Sequence, residues 1–171
     1  IEDVIHSGLV NVGVLYDKGL SELKDILVPV GGGYHCRLAI RIANQLSSLA
    51  GGNVDYVHIT KPSADEESYE DQMAFLQEII ITELGQIPAN ATLQVFESEN
   101  PAAFIANKAA ELDYDLVIIG AYDGDDPSHT QPLFGSFVAS VRNAASSSTL
   151  VIRQHESLAS SWLRRQLKSS S

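Results

Sequence analysis

Five short apolar, β-branched runs punctuate the chain at Ile26–Val30, Val54–Ile59, Thr92–Phe96, Leu116–Ile119 and Thr149–Ile152. Most are too continuous to be strands with one wet face, so the pattern predicts strands buried on both sides of a parallel sheet. Between them the period changes to that of a helix over Arg37–Ala50, Glu66–Leu84, Pro101–Leu112 and Phe134–Ala145. In the first of these, Leu38, Ile42, Leu46 and Leu49 recur three and four residues apart and fall on one face. Local signals mark the ends. Asn100-Pro101 offers a capping side chain followed by proline at the first helical position, and Gly51-Gly52 follows the first helix where a left-handed backbone is wanted. Strands alternating with helices predict an open α/β sheet with helices on both faces and right-handed crossovers.

Both ends depart from this alternation. Residues 1–24 form a lead-in or arm with an extra strand possible at Leu9–Tyr16, residues 25–153 carry the α/β domain, and residues 154–171 form a tail. In the tail, Leu158, Trp162, Leu163 and Leu167 lie beside Arg164, Arg165 and Lys168, an amphipathic and basic pattern. Such a segment suits a membrane surface, a partner, or a helix docked on its own domain or on a dimer mate.

Composition narrows the function. At 171 residues and 44% hydrophobic the chain supports one domain with a real core. Its net charge of -11 argues against a nucleic-acid partner, because such proteins neutralise phosphates with Lys and Arg. A phosphate-bearing small ligand held by backbone N–H groups remains compatible with that charge. Cys36 is the only cysteine, so no internal disulfide forms, and a cytoplasmic setting is expected.

In an open α/β sheet the ligand lies beyond the carboxyl ends of the strands, where the strand order reverses. Two segments are expected there: Gly31–Gly33 and the long loop from Gly120 to Ser136. Gly120 and Gly124 would let the backbone approach a ligand, and Gly135-Ser136 opens a helix whose free N–H groups favour an anion. Asp123, Asp125 and Asp126 in the same loop repel a triphosphate unless a divalent cation intervenes or the side chains point away. At roughly 4 Å such repulsion is about 4 kcal/mol at an effective dielectric of about 20.

Other chemistry is weakly supported. His35, Cys36 and His129 suggest a metal, but adjacent residues seldom supply two ligands to one tetrahedral ion and no paired Cys or His spacing exists. The aspartates of the loop lack the ligand order and closing Glu of a calcium loop, so a solvated acidic loop is the simpler reading and no metal ligand is assigned. Ser136 has no evident base partner, and helix capping explains it as well as catalysis does, so no catalytic residue is assigned and an enzyme is not expected.

The segments "ILVPV", "DYVHI" and "DLVIIG", followed by a loop ending in "GSFVASVRNAASSSTLVIR", resemble the universal stress protein family over about residues 25–153. The resemblance implies the universal stress protein (adenine nucleotide alpha hydrolase-like) fold, a five-stranded parallel sheet in the order 3-2-1-4-5. It also implies an ATP or AMP site, with Mg²⁺ as a companion. Nucleotide-binding members usually carry G-x-x-G-x(9)-G-[ST] and an acidic residue soon after the proline of the first strand. By position, Gly120 and Gly124 resemble the first two glycines and Gly135 with Ser136 the last pair, while Val30, Gly31 and Ile59 lie near the adenosine. Here three residues separate Gly120 from Gly124, ten separate Gly124 from Gly135, and Gly31 stands in place of the acid. The glycine triplet is then a sharp turn and a close wall for the nucleoside, or a turn alone. The resemblance further implies a homodimer through Thr149–Ile152, which would otherwise be an exposed strand edge. It also suggests a regulatory tail acting on the transmembrane domain of a parent transporter at the cytosolic face. A non-nucleotide-binding dimerisation or interaction module of the same fold is the alternative.

Overall fold

A computed structural model describes residues 10–62, 68–121 and 134–155. In chain order its elements are β1 (Val12–Tyr16), β2 (Asp25–Pro29), α1 (Tyr34–Ala50), β3 (Asn53–Thr60), α2 (Tyr69–Leu84), β4 (Ala91–Glu97), α3 (Pro101–Glu111), β5 (Leu116–Gly120), α4 (Ser136–Ala144) and β6 (Ser148–Arg153). The predicted tail, residues 154–171, lies almost wholly outside the described residues.

The sheet runs β4-β3-β2-β5-β6-β1, parallel except for the antiparallel β1–β6 pair. Its five parallel strands follow the expected 3-2-1-4-5 order. The correction is a sixth strand: β1 joins the sheet, with Val12 opposite Arg153 and Tyr16 opposite Thr149. The edge of β6, which the sequence reading leaves free for a second copy, is occupied by the chain's own lead-in.

The continuous apolar runs are explained by burial on both faces. In β2, Ile26 and Val28 pack with Ala39 and Ile40 of α1 and Leu76 and Ile80 of α2, while Leu27 packs with Ile105 of α3 and Val138 and Val141 of α4. Helix ends follow local chemistry. Asn100 accepts from the Ala103 amide at 3.1 Å ahead of Pro101, and Gly51 closes α1 with φ 69°. Ser68 and Asp71 form a reciprocal capping box at the start of α2, three residues later than the period alone suggests.

The β1–β2 connection is fastened to the far end of the chain. The Asp17 carboxylate accepts from the amides of Gly19 and Leu20 at 2.9 and 2.8 Å and from the Ser148 hydroxyl at 3.1 Å. Lys18 Nζ donates to the carbonyls of Arg142 and Ala145, satisfying the C-terminus of α4 with the charge its dipole favours.

Candidate functional site

Since β2 leads on one side to β3 and on the other to β5, the strand order reverses at its carboxyl end. A cavity of about 350 Å³ opens there, within the size range of small-ligand sites. Pro29, Val57, Ile59 and Ile119 form strand-end walls, and Pro101 of α3 and Phe137 of α4 close the sides. The rim holds Gly33 and Ser136, which stand at the starts of α1 and α4. Neither helix has a side-chain cap or an acidic residue in its first turn, so two positive helix ends border the opening.

Of the residues expected at the site, Val30, Gly31, Ile59, Gly120 and Ser136 line this cavity. Gly135 does not. It lies buried one residue behind, as the cap of α4, with a φ of 91° that favours glycine. Gly124 falls outside the described residues, as do Asp123, Asp125, Asp126 and His129.

Two of these residues also carry structural duties. Gly120, read as a close approach to ligand, is in addition tightly packed: a Cβ on it would lie 2.5 Å from the Cys36 nitrogen and 2.7 Å from Cys36 Cα. Its missing side chain admits the first turn of α1. The backbone of Val30, expected beside the adenosine, is engaged by β3: its N–H donates to Val57 O at 2.8 Å, and its carbonyl accepts from His58 Nδ1 at 2.7 Å. His58 is held in turn by Gln72 at 2.9 Å and by the Phe75 ring, 4.9 Å between centroids.

Within the glycine triplet, the residue needing glycine is Gly32, with φ 74° and Phe75 where a Cβ would go. A Cβ on Gly31 would meet nothing within 4 Å. The turn folds around Cys36, which sequence spacing alone does not assign to the wall. Its thiol faces the Pro29 carbonyl at 3.7 Å and the amides of Gly31 and Gly32. Burial pushes it up to about 11, outweighing the opposing effect of those amides, so it stays a neutral thiol at pH 7. His35 turns elsewhere, its Nδ1 accepting from the Gln154 amide at 3.0 Å. Among the described residues no cluster suited to a metal ion forms.

Residues 22–153 match the Universal stress protein family. The chain belongs to that family. Among solved structures, a universal stress protein from Archaeoglobus fulgidus is 21% identical, with 77% of this chain and 94% of that one covered and a TM-score of 0.55. A universal stress protein in complex with cAMP is 15% identical, with 78% and 99% covered and a TM-score of 0.60. The Archaeoglobus fulgidus protein in complex with dAMP is 22% identical, with 75% and 97% covered and a TM-score of 0.54. These likenesses concern the fold. No curated protein matches the chain in sequence. The family match begins after β1, so the antiparallel strand of this universal stress protein domain lies outside the matched residues.

Proposed function

We propose that this domain binds an adenine nucleotide, AMP or ATP, in the cavity at the carboxyl ends of β2, β3 and β5, and acts as a sensor without turning it over. The observation that carries the reading is the coincidence of an apolar cavity with two uncapped helix starts on its rim. A base and sugar suit the apolar interior, and a phosphate suits the amides at Ser136 and the positive end of α4. The cAMP and dAMP complexes of related folds support an adenine monophosphate as ligand. The repulsion of a longer phosphate chain that the sequence leads one to expect from Asp123, Asp125 and Asp126 also favours a monophosphate; ATP would enter with Mg²⁺.

Calorimetric titration with AMP, ADP and ATP, with and without Mg²⁺, checks the reading. Saturable heat from AMP is expected, and no heat from any of the three up to millimolar ligand overturns it.

We further infer that the domain serves as the regulatory tail of a membrane transporter, its ligand biasing the transport domain through different affinities for the transporter's states. Among the described residues no helix is long and apolar enough to cross a membrane, so the transport domain would lie elsewhere in the parent chain. The parent reading frame upstream of Ile1 tests this: several apolar stretches of about 20 residues are expected there, and their absence excludes a preceding transport domain.

A further inference from the structure

We propose that residues 157–168 dock as an amphipathic helix in a groove between α1 and β1, on the face of the sheet that α1 covers.

One wall is the flank of α1. Ala39, Ile40 and Ala43 are what this helix buries against the sheet, whereas Leu38, Ile42 and Leu46 are half-buried at its margin and Leu49 is 86% exposed. The two sets lie about a quarter turn apart, so the leucine stripe expected to face the core runs beside it. Arg37 and Arg41 bind Glu83 of α2 from the opposite flank, and His35 meets the Gln154 amide on the stripe's own side. The stripe therefore faces β6 and β1. There Leu150 of β6 stands opposite Leu15 of β1, which is 47% exposed. Residues directly opposite in an antiparallel pair share a face, and Leu150 packs with the α1 side of the core. Gly13 keeps the floor low, since a Cβ on it would meet Ile152 Cδ1 at 3.4 Å and Leu150 Cδ1 at 3.6 Å. The result is a trough walled and floored by leucine, the kind of continuous apolar surface that marks an interaction site.

The chain leaves the described residues at the head of this trough. The His155 N–H donates to Asn11 Oδ1 at 2.6 Å, just before β1, and its carbonyl accepts from the Tyr34 hydroxyl at 2.8 Å in the first turn of α1. His155 thus stands between the two walls. In helical register Leu158, Trp162, Leu163 and Leu167 fall on one half of the circumference and Arg164, Arg165 and Lys168 on the other. Residues 156–171, wound as a helix, would span about 24 Å, the length of α1 to within a turn. Charge agrees with this placement. Arg164, Arg165 and Lys168 against Glu156 make the segment positive in a chain of net charge -11. At about 1.5 Å per residue these cations come level with Asp17 and Glu22, beyond the far end of β1.

Trp162 is the only tryptophan, so its emission reports docking without a label. In the full chain that emission is expected to be blue-shifted from the denatured chain's and shielded from acrylamide. Leu15→Glu and Leu49→Glu, both at exposed positions, should shift it to the red and open it to quenching. Leu112→Glu, also exposed but at the end of α3, should leave it unchanged, with melting curves verifying that each variant folds. Wild-type emission equal to that of the denatured chain overturns the proposal, as does a blue-shifted emission that neither Leu15→Glu nor Leu49→Glu alters. A blue shift that fades on dilution, with a sedimenting mass twice that of the chain, assigns the groove to the tail of a second copy and overturns docking within one chain. Emission that turns blue only when phosphatidylglycerol vesicles are added assigns the segment to a membrane surface and overturns it as well.

Discussion

A single methyl group at position 120 would collide with the backbone of the first turn of α1, at 2.5 to 2.7 Å from Cys36 and His35 atoms. Backbone cannot yield as a flexible side chain does, so Gly120→Ala is expected to destabilise the domain by about 1–3 kcal/mol. Gly31→Ala, with open space around it, should stay within about 0.5 kcal/mol of the wild type. Urea midpoints compare the two; equal stabilities would contradict the packing role given to Gly120. Cys36 gives a second residue-scale prediction. Its thiol is raised from 9.0 to about 11, so at pH 8 the native thiolate population is about 100-fold below that of the unfolded chain. A disulfide reagent should label the native protein at least that much more slowly than the protein in denaturant. The sign for stability follows: the unfolded thiol releases its proton from pH 9 upward and the folded one does not until about 11, so stability falls between those values.

Among the elements, β1 depends most on distant partners. Asp17 and Lys18 tie it to Ser148, Arg142 and Ala145, more than 120 positions away. Hydrogen bonds from the Leu20 and Gly19 amides, in that order, and from the Ser148 hydroxyl hold the Asp17 carboxyl below its ordinary 3.8. Such a group stabilises the fold above pH 3.8, and the contribution is lost as pH falls through the lowered native value. Amide exchange at Val12–Tyr16 should therefore stay slow at neutral pH and quicken in acid, and in Asp17→Asn it should be fast already at neutral pH. Unchanged exchange in that variant would count against the tie. The same contacts explain what the sequence disclosed and what it hid. Strands β2 to β6 were legible to within a residue or so: β2 and β5 lie in the middle of the sheet with uninterrupted apolar runs, and in β3 and β4 β-branched and aromatic residues still outnumber the polar ones. Leu9–Tyr16 was legible as a strand, but nothing local joins Tyr16 to Thr149, so its place in the sheet was not. At the site, Gly31 and Ser136 could be placed from strand and helix ends, and Val30 and Ile59 from the family resemblance. The packing duty of Gly120 and the presence of Cys36 in the wall depend on how closely α1 crosses β5, which spacing along the chain does not encode.

Across the whole molecule, β1 covers the strand edge through which a homodimer was expected to form. A dimer through Thr149–Ile152 requires β1 to leave β6, since its backbone groups are paired from Val12 to Tyr16. Removing residues 1–17 should expose that edge and raise the sedimenting mass at tens of micromolar relative to the full chain; equal masses for the two would show that β1 does not govern association. The sheet's other end of interest is the cavity, and occupancy there is decided by plugging it. Gly31→Trp adds a large ring at a wall position where a Cβ meets nothing within 4 Å, and a melting curve verifies that the fold persists. Calorimetric titration of AMP into this variant and the wild type, side by side, is expected to give saturable heat for the wild type and none for Gly31→Trp. No heat from the wild type, or equal affinity in both, would contradict a nucleotide site at the carboxyl ends of β2, β3 and β5.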